Sequence, residues 1–235
     1  MLHKMKIYKI AGIVAPVMFT CFVLLGGLLR PDYSAFSQTI SVLILEGAPN
    51  KMLLDTGFAI SNFFLALFGY GLCRMGRRDS NKYKSFAGYT LIAGGISGIL
   101  IILFPADPEY VSMSVAGFIH HFTIIMLTIF ALISILFSEL GEFHNGQFRS
   151  YSKISLIIIF IFAVITVIAG ASKDSFVGLY ERITIVVYFQ WLIVMSLVAV
   201  RYSLSEQNSE KIKRLSNAII VKAKKAAGKI IKVSK

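Results

Sequence analysis

Six long apolar stretches alternate with short polar segments along the chain. They cover roughly residues 7–29, 52–73, 86–104, 115–137, 154–171 and 183–200. A helix that crosses hydrocarbon needs about 20 mostly apolar residues, and each run is close to that length. Helices are the expected form, because a helix satisfies its backbone polar groups within its own segment. The alternating segments of about 10 residues that mark a membrane barrel are absent from the pattern. The predicted fold is all-α: a polytopic membrane protein with a bundle of six transmembrane helices, followed by a basic amphipathic C-terminal helix.

The segments between the runs differ in kind. The longest is 30–51, where Tyr33, Phe36, Ile40, Leu43 and Ile44 recur at spacings of three and four. That spacing predicts a short amphipathic helix on the outer membrane surface or over the mouth of the bundle. Gly47-Ala48-Pro49-Asn50 then breaks the chain before the second run. In the third run Gly94 and Gly98 form a small-x-x-x-small pair, and Gly88 and Gly95 add to its small face, which predicts close helix packing inside the bundle. Ser61 and Asn62, inside the second run, are expected to bond between helices. In the tail, Ile212, Leu215, Ile219, Ala223, Ala226, Ile230 and Val233 follow helical steps, while Lys211, Arg214, Lys222, Lys225, Lys229 and Lys232 sit largely off that stripe. The expected division is a six-helix domain, 1–206, and a basic amphipathic cytoplasmic tail, 207–235.

Composition narrows the class. Hydrophobic residues make up 56% of the chain and charged residues 15%, with a mean hydropathy of +0.74. A soluble domain carries about 25% charged residues, so this chain cannot cover a soluble globule. Two cysteines in 235 residues exclude a disulfide scaffold. Cys21 and Cys73 read as packing residues.

The net charge of +12 is explained by its distribution. Lys and Arg number three in residues 1–9, five in 74–84, two in 149–153 and ten in 201–235. The opposite side holds only Arg30, Lys51, Lys173 and Arg182. Lys and Arg concentrate on the cytoplasmic side of membrane proteins, so both termini are predicted to be cytoplasmic and the location to be the cell membrane. A nucleic-acid partner is not needed to account for the charge. The first run is longer than a signal-peptide core, and no A-x-A-like cleavage site follows it.

Ionisable groups near the membrane are candidates for function. Asp32, Asp55, Asp107, His120, His121, Glu181 and Arg182 all fall near the outer helix ends. Asp55, Asp107, His120 and His121 are the catalytic candidates, as general bases or metal ligands. Asp32, Ser41, Glu181 and Arg182 are the binding candidates. Structural readings stand beside these. Asp55 can pair with Lys51 one turn back. Adjacent helical positions are about 100° apart, so one histidine should point inward and the other outward. Arg182 can pair with Asp107, Asp55 or Glu181, or hold a lipid phosphate. Ser41 would need a histidine beside it to act as a nucleophile. A zinc site built on Asp55, Asp107 and His121 is short of ligands. No Gly-Lys-Ser loop, paired cysteine motif or HExxH is present, so no cofactor is expected. The further expectation is that Asp55, Asp107, at least one histidine and Arg182 line a common polar cavity under the 30–51 loop.

Tyr33-Ser34, Ile40-Ser41, Phe104-Pro105 with Asp107, His120-His121, and Gly178-Leu179-Tyr180-Glu181-Arg182 followed by Trp191 occur in a set order. Together they resemble the uncharacterised prokaryotic membrane family "domain of unknown function 998", over about residues 8–200. The resemblance implies a six-helix membrane domain and no established activity.

The favoured reading is a non-enzymatic protein that recognises lipid or a membrane partner through an outer polar pocket. Its tail would meet anionic headgroups of the lipid bilayer. One alternative is an intramembrane hydrolase or transferase acting on a lipid with Asp and His residues. Another is a small-molecule transporter, against which no charged line crosses the bilayer.

Overall fold

The computed structural model describes residues 2–108, 112–141 and 146–233. Side chains are excepted at 2–7, 9 and 146 and at most positions beyond 202. The elements are α1 (Leu2–Leu28), a 3-10 helix at Ile40–Ile44, α2 (Lys51–Arg78), α3 (Lys82–Leu103), α4 (Val115–Leu140), α5 (Gly146–Ser172) and α6 (Val177–Val233). No strand occurs among the described residues. Six segments are long and apolar enough to cross a membrane: Ile10–Leu28, Lys51–Arg78, Lys82–Leu103, Val115–Leu140, Gln147–Ser172 and Val177–Tyr202. The all-α polytopic fold read from the hydrophobic pattern is the observed one.

Local sequence sets the helix ends. Asn81 caps α3 by accepting from the Lys84 N–H at 3.1 Å. Ser114 caps α4 by accepting from the Gly117 N–H at 3.0 Å. Such caps satisfy backbone donors that have no partner within the helix. Helix α3 ends where Phe104 turns extended, at ψ 87°, ahead of Pro105, as the residue before a proline is pushed to do.

The chain divides into two compact units, Met1–Leu197 and Val198–Lys235. In the first, glycines let α2 and α3 approach to backbone contact. A Cβ on Gly69 would stand 2.6 Å from the Gly88 carbonyl oxygen, and one on Gly95 would stand 2.7 Å from the Asn62 carbonyl oxygen. A Cβ on Gly98 would overlap the Asn62 carboxamide. The 94/98 pair therefore packs inside the bundle, with Gly94 in ordinary contact with Leu127 of α4 and Leu65 of α2. Helix α1 packs on α2 in the same manner, with Phe68 filling the space beside Gly12 and Phe22 that beside Gly57. In a membrane such small-residue contacts replace the hydrophobic effect as the source of helix association.

Beyond its first turns, α6 is tied in by side chains. Phe189 meets Phe19 of α1 edge-on at 5.2 Å. The fully buried Trp191 donates to Ser152 of α5 at 3.1 Å, and Tyr188 is bonded to Ser134 of α4. Two expectations within the helices are revised. Ser61 and Asn62 bond along their own helix, to Gly57 O and Phe58 O, at 2.8 and 2.9 Å. Cys21 is exposed on α1 rather than packed, and Cys73 is buried.

The turn between α2 and α3 is closed by charge. Lys84 and Asp79 pair at 2.9 Å with side chains 3% and 9% exposed, and Arg78 meets Asp79 at 2.9 Å. Asn81 also donates to Gly141 O at the end of α4, at 3.0 Å.

The second unit is helical through Val233, with Ile212, Leu215 and Ile219 exposed. The side chains of Lys211, Arg214, Lys222, Lys225, Lys229 and Lys232 lie outside the described residues.

Candidate functional site at the outer helix ends

The loop after α1 does not form the amphipathic helix predicted by its spacing. Residues 31–38 form turns, and only Ile40–Ile44 is helical, as a 3-10 segment. The apolar residues of this segment point into the bundle, while Phe36 before it stays exposed. Ile40, Leu43 and Ile44 are buried with Leu54 and Phe58, and Tyr33, Ile102 and Ile185 pack around them. The period of three to four was real, but the apolar side plugs the bundle instead of lying on lipid.

Glu181 and Arg182, in the first turns of α6, fasten this loop. The Glu181 carboxylate accepts from the Ile40 N–H at 2.7 Å. Arg182 Nη1 donates to Gln38 O at 2.9 Å and to Gly178 O at 2.8 Å, and Nη2 donates to the Tyr33 hydroxyl. The guanidinium also lies over the Tyr33 ring, 5.5 Å from its centroid. The two charges are 4.0 Å apart. Burial pushes the Tyr33 hydroxyl above its usual range, against the opposing pull of Arg182. The Leu179 N–H adds a bond to Phe36 O at 2.9 Å. Gly178 is needed for the close approach, since a Cβ there would run into the Gln38 carbonyl oxygen. Arg30 ties the same loop from the α1 side, donating to Val42 O at 2.7 Å.

A second group surrounds the turn from α3 to α4. Asp107 accepts from the Ser114 N–H at 2.8 Å. The Ser114 hydroxyl and N–H hold its carboxyl below the usual range, and His121 and His120 are close enough to act in the same direction. Gly117 makes room for this carboxylate, which a Cβ would overlap. His120 is fully buried, with Nδ1 2.7 Å from Phe104 O. His121 is exposed, with Nδ1 2.7 Å from Gly117 O one turn back. The inward and outward division expected of adjacent helical positions is the arrangement seen.

The remaining candidates have local partners. Asp55 takes Lys51 at 2.6 Å, the pairing anticipated one turn back. Asp32 is 3.5 Å from Arg30 with its side chain largely exposed. The Ser41 hydroxyl is 2.8 Å from that of Thr39. Among the described residues no hydrogen bond or ion pair joins Asp55, Asp107 and Arg182 to one another, and no group of three His, Cys, Asp or Glu side chains is placed to hold a metal ion. Two polar atoms at this end are buried without a partner, Asp55 Oδ1 and His120 Nε2. Tyr110 lies outside the described residues.

The sequence reading missed Gln38 and Thr39, which act through backbone carbonyls, and the roles of Gly117 and Gly178. Gly178, three residues before Glu181, and Gly117, three residues before His120, were the available signal.

Six membrane-length helices and a loop fastened between α1 and α2 define a multi-pass membrane protein. The chain belongs to the family described as "Protein of unknown function (DUF998)", which it matches over residues 13–198. No curated protein and no solved structure matches it. The segments that carried the resemblance now have positions. Tyr33, Ile40, Gly178, Glu181 and Arg182 build the loop fastening, while Phe104, Pro105, Asp107 and the two histidines build the α3–α4 turn.

Proposed function

We propose that this is a non-catalytic lipid-recognition protein of the cell membrane. Its outer polar end meets lipid headgroups, and its basic C-terminal helix meets anionic headgroups on the cytoplasmic side. The observation that carries the reading is the pair of open acceptors, Asp55 Oδ1 and His120 Nε2, at the outer ends of α2 and α4. A buried polar atom with no partner costs free energy, so one that persists calls for a ligand or water. No Asp, Glu, Lys, Arg or His lies in the middle of any span, which favours recognition at one face over passage through the bilayer. Both histidine Nδ1 atoms face backbone carbonyls rather than a nucleophile, which favours binding over hydrolysis. In the tail, exposed Ile212, Leu215 and Ile219 share one side of the helix, and nine Lys or Arg residues against one Glu lie in 209–235. Each basic residue near an anionic surface contributes about 1 kcal/mol.

The full chain in bilayers carrying photoactivatable lipids tests this reading. Crosslinks are expected to concentrate at the outer helix ends, and those of an anionic probe also in 209–235. Crosslinks spread evenly over exposed apolar positions such as Ile157, Phe160 and Ile168 would contradict it.

A further inference from the structure

The last turn of α3 is flanked by polar groups from both of its neighbours. On α2, Asn62 faces Gly98 of α3, and Asp55 lies two turns further out on the same face. One carboxylate oxygen of Asp55 takes the Lys51 ammonium, and the other is buried and open. On α4, His120 reaches back to the Phe104 carbonyl that follows the end of α3. In the neutral imidazole that carbonyl takes the Nδ1 proton, which leaves Nε2 with a free lone pair. Nε2 is buried with no hydrogen-bond partner, and the Ile101 carbonyl also lies close to the ring.

The electrostatics point the same way. A helix C-terminus carries roughly half a negative charge on carbonyls without intrahelical partners. Pro105, next in the chain, has no N–H to offer them. Asp107, two residues beyond Pro105, adds a carboxylate with which no lysine or arginine pairs among the described residues. Among the described residues, the two buried polar atoms without a partner at this end are both acceptors. A phosphate would bring only further acceptors and negative charge, and a trimethylated ammonium has no N–H to give.

We infer that the outer end of α3 holds a primary ammonium group, with His120 Nε2 accepting one of its N–H bonds and the carboxylates of Asp55 and Asp107 balancing its charge. This rests on the reading that the outer end recognises lipid, and it names the headgroup chemistry. The same ammonium is presented by an ethanolamine lipid or by a free amine.

The test uses the full chain in nanodiscs made from equal parts of phosphatidylethanolamine and phosphatidylcholine with matched acyl chains. Lipid retained after release is read by native mass spectrometry. The wild-type chain is expected to retain the ethanolamine lipid at least tenfold over the choline lipid. His120→Asn keeps an amide donor for the Phe104 carbonyl but removes the Nε2 acceptor, and should bring the two lipids to parity. Asp107→Asn keeps an acceptor for the Ser114 N–H, lies outside the helices, and should reduce the preference several-fold. Binding of ethanolamine by lipid-depleted protein identifies a free amine as the source. No such binding, with the lipid preference intact, identifies the headgroup on its acyl chains. Equal retention of both lipids together with no ethanolamine binding would overturn the inference. Lipid retained without amine preference, with no ethanolamine bound, would end the inference alone, whereas no retained lipid at all would end the lipid-recognition reading as well.

Discussion

Arg182 holds Tyr33 twice, by a hydrogen bond from Nη2 to the hydroxyl and by its guanidinium plane over the ring. The pair joins the start of α6 to a loop nearly 150 positions earlier in the chain, and Nη1 completes the grip on Gln38 O. A lysine offers a point charge and no fork. Arg182→Lys is expected to lower stability by about 2 kcal/mol, the scale of hydrogen bonds to a charged group. It should also expose residues 30–50 to protease from the outer side. Thermal melting and limited proteolysis of the purified chain read both effects, and an unchanged cleavage pattern would show that Arg182 does not fasten the loop.

Gly178→Ala attacks the same joint without touching charge. Its Cβ would meet backbone oxygen, that of Ala35 at 2.8 Å and that of Gln38 closer still, and backbone cannot swing aside as a side chain does. Overpacking of this kind costs about 1–3 kcal/mol. Gly27→Ala is the control, because its Cβ would rest in ordinary contact, 3.5 Å from the Tyr33 ring. The expected result is a lowered melting temperature for Gly178→Ala and little change for Gly27→Ala. Equal melting temperatures would count against the close approach.

The turn between α2 and α3 predicts an acid limb in stability. Burial opposes ionisation of Asp79, yet hydrogen bonds from Lys84 and Arg78 outweigh it and hold its carboxyl below the ordinary 3.8. A carboxyl lowered in the folded state stabilises the fold above its unfolded value, and that stability is lost as pH falls through the folded value. The melting temperature should therefore fall as pH drops below about 4. Asp79→Asn should start lower at neutral pH and lose less on acidification. Parallel curves for the two proteins would refute the coupling.

Orientation follows from charge placement. With Lys and Arg gathered at residues 1–9, 74–84, 149–153 and 201–235, reporters fused at either end should both read cytoplasmic. An outer-side reading for the C-terminal reporter would break the orientation.

The six helices were legible because a span is written in about 20 consecutive apolar residues, and no tertiary contact is needed to read it. The packing role of Gly94 and Gly98 was legible for a similar reason, since small residues four apart lie on one helix face. The outer loop was legible only in its periodicity. Whether Ile40, Leu43 and Ile44 rest on lipid or enter the bundle depends on Leu54, Phe58 and Ile185, which belong to other helices and leave no mark in the local pattern. The partners of Arg182 were hidden for the same reason, as two of the four groups it meets are backbone carbonyls, which every residue has. The local pair Lys51–Asp55 could be read from spacing, and the split of His120 from His121 followed from helix geometry.

Density for the full chain in a lipid nanodisc tests recognition at the outer end most directly. A headgroup is expected against the last turn of α3, within hydrogen-bond distance of His120 Nε2 and close to Asp107. Finding His120 Nε2 and Asp55 Oδ1 closed against protein groups, with no lipid at this end, would contradict recognition there.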